Sequence, residues 1–337
     1  MIIPIFSLSK VLKSNFTPDY GLPFHKVDSL DTKLTYNSSG RQTHYGTTVF
    51  KSLNKLLPNV WVYTQNTADL DNTNKNKSHV AWYLDGSKSF TEKHNLPEVS
   101  KYAITEHTSG EHLFIQKPSH AYIGSGKFIT IGSDIESLVK ERQKEYRLGK
   151  DVYPIDHWVV QPLIQPALWS EGRKFDCRFF GVIFTIGDRI YATSLNYGVA
   201  RIAVNVYNPV KDPLSAITNI SVQERIKGYE VKSNLLAVND DLNVVENILS
   251  DLVKNTKFTI TDTYHVLILG FDIMFTPGGK PVLIEVNHEP HIELYARNAE
   301  SYCSIHFVNR LFGEIIPGLI QDLDIPDNEM WSPIIIQ

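Results

Sequence analysis

One stretch of this chain constrains its fold more than any other: Leu267-Ile-Leu-Gly-Phe-Asp-Ile-Met-Phe-Thr, then Pro277-Gly-Gly-Lys, then Pro281-Val-Leu-Ile-Glu-Val-Asn287. Two apolar, β-prone runs flanking a Pro/Gly turn predict an antiparallel hairpin. With an even-numbered loop at Pro277 to Lys280, Asp272 faces Glu285 across the two strands. Directly opposed like charges destabilise a sheet, and burying them among Leu, Ile, Phe, Met and Val is costly without compensation. A bound cation is the simplest remedy. Asn287 lies two residues beyond Glu285 and projects from the same face, which gives three oxygen-bearing side chains around one point. Hard oxygen ligands without Cys or His suit Mg²⁺ or Mn²⁺, and magnesium commonly pairs one or two carboxylates with substrate phosphates. The alternative is a solvated sheet face carrying both acids, and a one-residue bulge would break the pairing.

A second strand-like run, Glu171-Gly-Arg-Lys-Phe-Asp-Cys-Arg-Phe-Phe180, alternates after Arg173. Lys174, Asp176 and Arg178 share one face; Phe175, Cys177 and Phe179 share the other. In a cleft, a Lys-Asp-Arg row suits a triphosphate, with lysine as a point charge, arginine for a phosphoryl or carboxylate group, and aspartate to orient them. Cys177 falls on the apolar side, as an inert core residue does. Upstream, Ile115-Gln-Lys117-Pro118 is a strand ending in lysine, followed by Gly124-Ser125-Gly126-Lys127, a turn whose backbone N–H groups can close over phosphates. The spacing is neither that of a Walker loop nor that of a dinucleotide fingerprint. The histidines show no metal-ligand spacing; His288 and His291 read as packing or surface residues.

Around these motifs the chain, 337 residues with 42% apolar and 21% charged, can bury a sizeable core. Helices are predicted over Tyr45 to Leu57, Asp134 to Leu148, Asp240 to Lys254 and most of Tyr295 to Ile320. Strands are predicted at Val60 to Thr64, His112 to Pro118, Lys127 to Gly132, His157 to Ile164, Lys174 to Ile186 and Arg189 to Asn196, the last two joined at Gly187-Asp188. The Asn-rich stretch Thr67 to Ser78 reads as a surface loop. The class is α+β, with antiparallel hairpins carrying polar residues. A net charge of −4 argues against nucleic acid or an anionic lipid surface as partner. Two cysteines are too few for a disulfide framework or a thiolate zinc site, and no apolar run is long enough for a transmembrane helix. The expectation is a cytoplasmic protein.

Taken in chain order, I-Q-K-P, G-S-G-K, V-V-Q-P-L-I, G-R-K-F-D-C-R, G-V-A-R, T-N, L-G-F-D-I-M and I-E-V-N resemble the ATP-grasp superfamily, most closely the tubulin tyrosine ligase-like amino-acid ligases. The resemblance runs from about His112 to His291. It implies an ATP-grasp fold of antiparallel sheets and packed helices around a nucleotide cleft, with an N-terminal domain over 1–100, a central domain over 101–165 and a C-terminal domain over 166–337.

The resemblance also assigns roles. Lys117 would hold ATP phosphates under a lid formed by Gly124, Ser125, Gly126 and Lys127. Gln161, Pro162, Leu163 and Ile164 would meet adenine through backbone groups. Lys174, Asp176, Thr218 and Asn219 would contact the nucleotide. Arg178 and Arg201 would face the acyl phosphate and incoming substrate, and Asp272, Glu285 and Asn287 would hold magnesium. Pro162 stands where the family commonly has a side-chain donor, His288-Glu289-Pro290-His291 replaces the usual small residues, and the family's further N-terminal lysine has no assigned match within 1–100. The implied activity is ATP-dependent, ADP-forming joining of a free amino acid to a protein or peptide carboxylate, tubulin being one such acceptor. Alternatives are an ATP-grasp ligase of small molecules or peptides, and a nucleotide-binding protein without catalysis.

Overall fold

The computed structural model describes residues 60–63, 78–81, 84–104, 113–118, 130–148, 158–223, 226, 233–237, 243–260, 264–288, 290, 303, 307, 310–311, 315, 319, 331–332 and 334–337. Strands β1 (Val60–Tyr63) and β2 (Ser78–Ala81) are followed by two single-turn helices, α1 (Lys88–Thr91) and α2 (Leu96–Val99). Then come β3 (Phe114–Pro118), β4 (Thr130–Gly132), α3 (Ile135–Arg147), β5 (Trp158–Pro162) and β6 (Leu168–Trp169). A long hairpin, β7 (Arg173–Ile186) and β8 (Arg189–Val206), leads through the short α4 (Ile220–Gln223) to β9 (Ser233–Ala237) and α5 (Val244–Asn255). The hairpin β10 (Tyr264–Phe275) and β11 (Pro281–His288) follows, and β12 (Ile335–Ile336) ends the series.

Among the described residues these strands form two sheets. The larger has nine strands along the path β1-β2-β10-β7-β8-β12, with β11 beside β10, β6 beside β7 and β9 beside β8. The smaller is β4-β3-β5, antiparallel throughout. The class is therefore α+β, as the alternating patterns predict.

Periodicity explains most elements. Asp134 caps α3, its carboxylate accepting from the backbone N–H of Glu136 and Ser137, which satisfies donors a helix start leaves orphaned. Helix α5 turns Val244, Val245, Ile248, Leu249, Leu252 and Val253 inward, against the apolar faces of β7 and β10: Phe175, Cys177, Phe179, Leu269, Phe271 and Ile273. Cys177 is fully buried, and burial pushes its thiol pKa well up, so it is unreactive, as its side of the strand implies. In the predicted C-terminal helix, Cys303, Phe307, Leu311 and Ile315 are described; they have helical backbone and are buried. The helix predicted over Tyr45 to Leu57 lies outside the described residues, as does the Asn-rich loop up to Ser78, where β2 begins.

Two details differ from the sequence reading. Strand β8 extends to Val206 rather than ending at Asn196, because it pairs with β9 from Tyr197 to Arg201 and with β7 as far as Arg173. The β10–β11 turn is not the even-numbered loop expected. Phe275 pairs with Pro281 and Ile273 with Leu283, and the register then shifts so that Asp272 pairs with Glu285. Ile284 is the extra residue of a bulge; were the tip register to continue without a shift, Ile284 itself would stand opposite Asp272. The tip is one residue out and the bulge restores it, so the two departures cancel at the acids.

Candidate active site: a buried row of paired charges

Four adjacent strands carry the predicted charges on the face turned away from α5. Asp176 of β7 pairs in register with Arg201 of β8, Arg178 of β7 with Asp272 of β10, and Asp272 with Glu285 of β11. Neighbours in the row therefore carry opposite charge except at the last pair. Arg201 is bidentate to Asp176 (Nε–Oδ1 2.7 Å, Nη2–Oδ2 2.8 Å) and reaches Asp272 Oδ2 at 3.0 Å. Arg178 donates Nε and Nη2 to the two oxygens of Asp272. The Thr218 hydroxyl donates to Asp176 Oδ2. Such charge-assisted, bidentate contacts fix side-chain direction as well as energy.

The acid pair lies at the row's end. The Asn287 amide donates to Glu285 Oε1 at 3.0 Å and to Asp272 Oδ2 at 3.4 Å, so all three side chains meet at one point. Gly270 makes room beside them: a Cβ there would come within 2.6 Å of Pro290 Cβ and 3.1 Å of Arg178 Cδ. The Arg178 stem and the Pro290 ring thus meet over a residue that must lack a side chain.

Three lysines complete this row, one from β7 itself and two from other elements. Lys117, on β3 of the small sheet, and Lys174, on β7, are both buried. Lys93, in the turn between α1 and α2, forms a 3.1 Å ion pair with Glu285. No motif pointed to Lys93. It sits in Thr91-Glu-Lys-His-Asn95, a polar stretch between single-turn helices with no periodic signal, and only the packing of 84–104 against β11 brings it in.

Burial and charge compete at every group. Burial alone would raise the Asp176 pKa, but Arg201 and Lys174 outweigh it and hold the carboxyl low. At Glu285 burial is likewise overcome, by Lys93, Lys117 and the Asn287 hydrogen bond. Asp272 goes the other way: burial, with Glu285 adding to it, prevails over Arg178 and Arg201 and raises its pKa. Arg201 is driven further up because Asp176 and Asp272 outweigh its burial. Burial lowers Lys174 and pushes Lys117 down to about 8, helped by Lys93 and opposed by Glu285. Active sites concentrate strongly perturbed groups in one place, which makes this row the candidate.

On β5, Gln161 pairs with Ile115 and Pro162 with Phe114, and just beyond it the Leu163 N–H donates to Leu113 O at 2.8 Å. The Gln161 side-chain oxygen is buried and lacks a hydrogen-bond partner among the described residues. Ile164 joins Ile104, Met274 and Val282 in a small apolar cluster. Since Met274 and Val282 are in register on the same hairpin, this cluster lies next along the hairpin from the acid pair. Asn219 follows Thr218 at the start of α4; Gly124, Ser125, Gly126 and Lys127 lie outside the described residues.

A family model, described as the tubulin-tyrosine ligase family, matches residues 42–268. The chain belongs to the tubulin-tyrosine ligase family. Within it, the chain is similar to the mouse protein named "Probable tubulin polyglutamylase TTLL9", 27% identical over 173 residues covering 45% of this chain and 37% of the mouse protein. It is also similar to the human "Tubulin polyglutamylase TTLL6", 27% identical over 218 residues, 55% of this chain and 23% of that protein. The Xenopus tropicalis "Tubulin polyglutamylase TTLL7" is 27% identical over 217 residues, 52% of this chain and 22% of that protein. The chain thus spans little more than a third of the mouse relative and under a quarter of the other two. For a member of the tubulin-tyrosine ligase family, the large, mainly antiparallel sheet, the small antiparallel sheet and the packed helices are the expected ATP-grasp-like architecture. No helix among the described residues is long and apolar enough to cross a membrane.

Proposed function

We propose that this chain is an ATP-dependent amino-acid ligase that forms an amide or isopeptide bond on a protein or peptide carboxylate. The observation that supports this best is the charge balance of the buried row. Lys93, Lys117, Lys174, Arg178 and Arg201 face Asp176, Asp272 and Glu285, leaving a surplus of two positive charges inside the protein. Buried charge of that size calls for a polyanionic ligand. The apolar cluster of Ile104, Ile164, Met274 and Val282 lies next to it, a combination that suits a purine with its phosphates. The unpartnered Gln161 oxygen is an acceptor at that end for an exocyclic amine.

The donor set fits a hard divalent cation. Two carboxylates and an amide, with no His or Cys, leave the remaining positions for phosphate oxygens, as Mg²⁺ or Mn²⁺ prefers; the Asn287 amide, whose N–H here donates to both acids, would turn its oxygen to the ion. Asp272, Glu285 and Asn287 would hold the ion, and when bound it would neutralise charge on the transferring phosphoryl group.

In this reading, Lys93, Lys117 and Lys174 bind the phosphates and stabilise charge developing on the γ-phosphoryl as it passes to the acceptor carboxylate oxygen, releasing ADP. Lys93 then fills the place of the family's N-terminal lysine. Arg178 and Arg201 orient the resulting acyl phosphate. The amine of the incoming amino acid attacks its carbonyl carbon, the C–O bond to phosphate breaks, and phosphate leaves as the nitrogen sheds a proton. Exclusion of water protects the acyl phosphate. Asp176, held ionised, keeps Arg201 in its plane. The names of the relatives make tubulin the first acceptor and glutamate the first amino acid to test.

The test is ADP formation by the purified chain with Mg·ATP, glutamate and tubulin, alongside thermal stabilisation by Mg·ATP alone. Stabilisation with amino-acid-dependent ADP release supports the ligase. Stabilisation without ADP for any amino acid and acceptor leaves a nucleotide-binding protein, and no stabilisation removes the nucleotide site.

A further inference from the structure

The segment 84–104, which carries Lys93, is anchored at both ends. Near its start, Gly86 has a φ of +97°, and a Cβ there would lie 2.3 Å from the Lys257 carbonyl oxygen. Backbone of that handedness at that approach admits glycine alone. Around it, Thr259 N–H and hydroxyl donate to Asp85 (3.3 and 3.0 Å), and the Ser89 and Thr256 hydroxyls are 3.1 Å apart. Toward its end, the Asn255 amide donates to Val99 O at 3.0 Å, and Leu283 N–H donates to Tyr102 O at 2.7 Å. The second of these bonds falls next to the Ile284 bulge that brings Glu285 opposite Asp272.

Between the anchors, Phe90, Leu96 and Val99 are buried in the main core, and Lys93 projects from the turn to Glu285. A lysine loses much rotamer freedom when held in one place, and α1 and α2 are too short to hold it by their own hydrogen bonds. The contacts that tie this segment, a strap, to the 255–259 segment and to β11 therefore help to fix Lys93. We infer that Gly86 and Asn255 are positioning residues for the nucleotide site, acting through Lys93: they hold its ammonium at Glu285 on the phosphate-binding side. The inference rests on the nucleotide reading given above.

A double-mutant cycle separates positioning from plain structural support, because residues acting through one group are non-additive while independent ones add. The measurement is calorimetric titration of the full chain with the non-hydrolysable analogue Mg·AMPPNP. Lys93→Met should weaken binding roughly tenfold, the size of one lost charge-assisted hydrogen bond. Gly86→Ala should weaken it by a similar factor and Asn255→Ala by roughly threefold, a neutral hydrogen bond's worth. Either change placed on Lys93→Met should add almost nothing.

If Gly86→Ala does not fold, the Asn255→Ala cycle decides alone. Should Lys93→Met weaken binding while the anchor variants either leave it unchanged or add in full, the strap is structural and the inference is overturned with the site intact. Should Lys93→Met bind the analogue as tightly as wild type, Lys93 leaves the nucleotide site and the inference goes with it. A wild-type chain that does not bind the analogue overturns the functional reading itself.

Discussion

The two faces of strand β7 are both buried, yet they are held by opposite means. On one, Phe175, Cys177 and Phe179 pack against α5 and β10, and their burial supplies folding free energy in proportion to area. On the other, Lys174, Asp176 and Arg178 are removed from water at a cost that their partners on β8 and β10 offset only in part; the depressed Lys174 and elevated Asp272 pKa values register the remainder. Alternate residues of one strand are thus held by apolar burial on one side and by paired charge on the other, and substitutions should separate the same way.

The largest effect is expected on the charged side. Glu285→Gln should lower turnover by about 10²–10³, the scale of losing one preorganised electrostatic contact, while circular dichroism and melting temperature show an intact fold. Undiminished turnover would remove Glu285 from the catalytic assignment. On the apolar side, Phe179→Ala should cost about 3–5 kcal/mol of stability in denaturant titrations, with nucleotide affinity of the folded fraction unchanged; an affinity loss of comparable size would mean that the faces are not independent. Arg201→Ala should raise the KM for the amino acid more than that for ATP in steady-state assays, and the reverse order would reassign it to the nucleotide.

The smallest effect is a pH dependence at Lys117. Its folded pKa, about 8, lies below the ordinary 10.5. Below pH 8 the lysine is charged in both folded and unfolded chains, and the fold carries the full burial cost. Above it the folded form sheds the proton first, so stability rises with pH through the window up to about 10.5. Lys117→Met should therefore be more stable than wild type by a margin that is constant below pH 8 and shrinks above it. A margin that grows with pH would show that Lys117 gains, rather than loses, from its surroundings.

Much of this was legible in the sequence because it depends on alternation. Period-two patterns placed Lys174, Asp176 and Arg178 on one side and Asp272, Glu285 and Asn287 together. The sequence reached the Asp272–Glu285 pairing through the wrong turn, since the pattern cannot reveal an odd-numbered tip or a bulge. It ended β8 early because Tyr197-Gly198 interrupts a run whose later pairing, with β9, is non-local. Lys93 and Gly86 were invisible for the same reason: their places depend on contacts with residues 255–259 and 283–285, some 170 to 200 positions away.

The bulge at Ile284 has a practical consequence. Because the one-residue offset is absorbed between the acids and the Pro277–Gly279 tip, the register of the acid end does not depend on the length of the tip. A short epitope or fluorophore-labelling sequence spliced in at Gly278, where a side chain would come no nearer to another residue than 4.0 Å, at Thr276 Oγ1, should leave Asp272 and Glu285 in step, giving a handle on the protein a few residues from the acid pair.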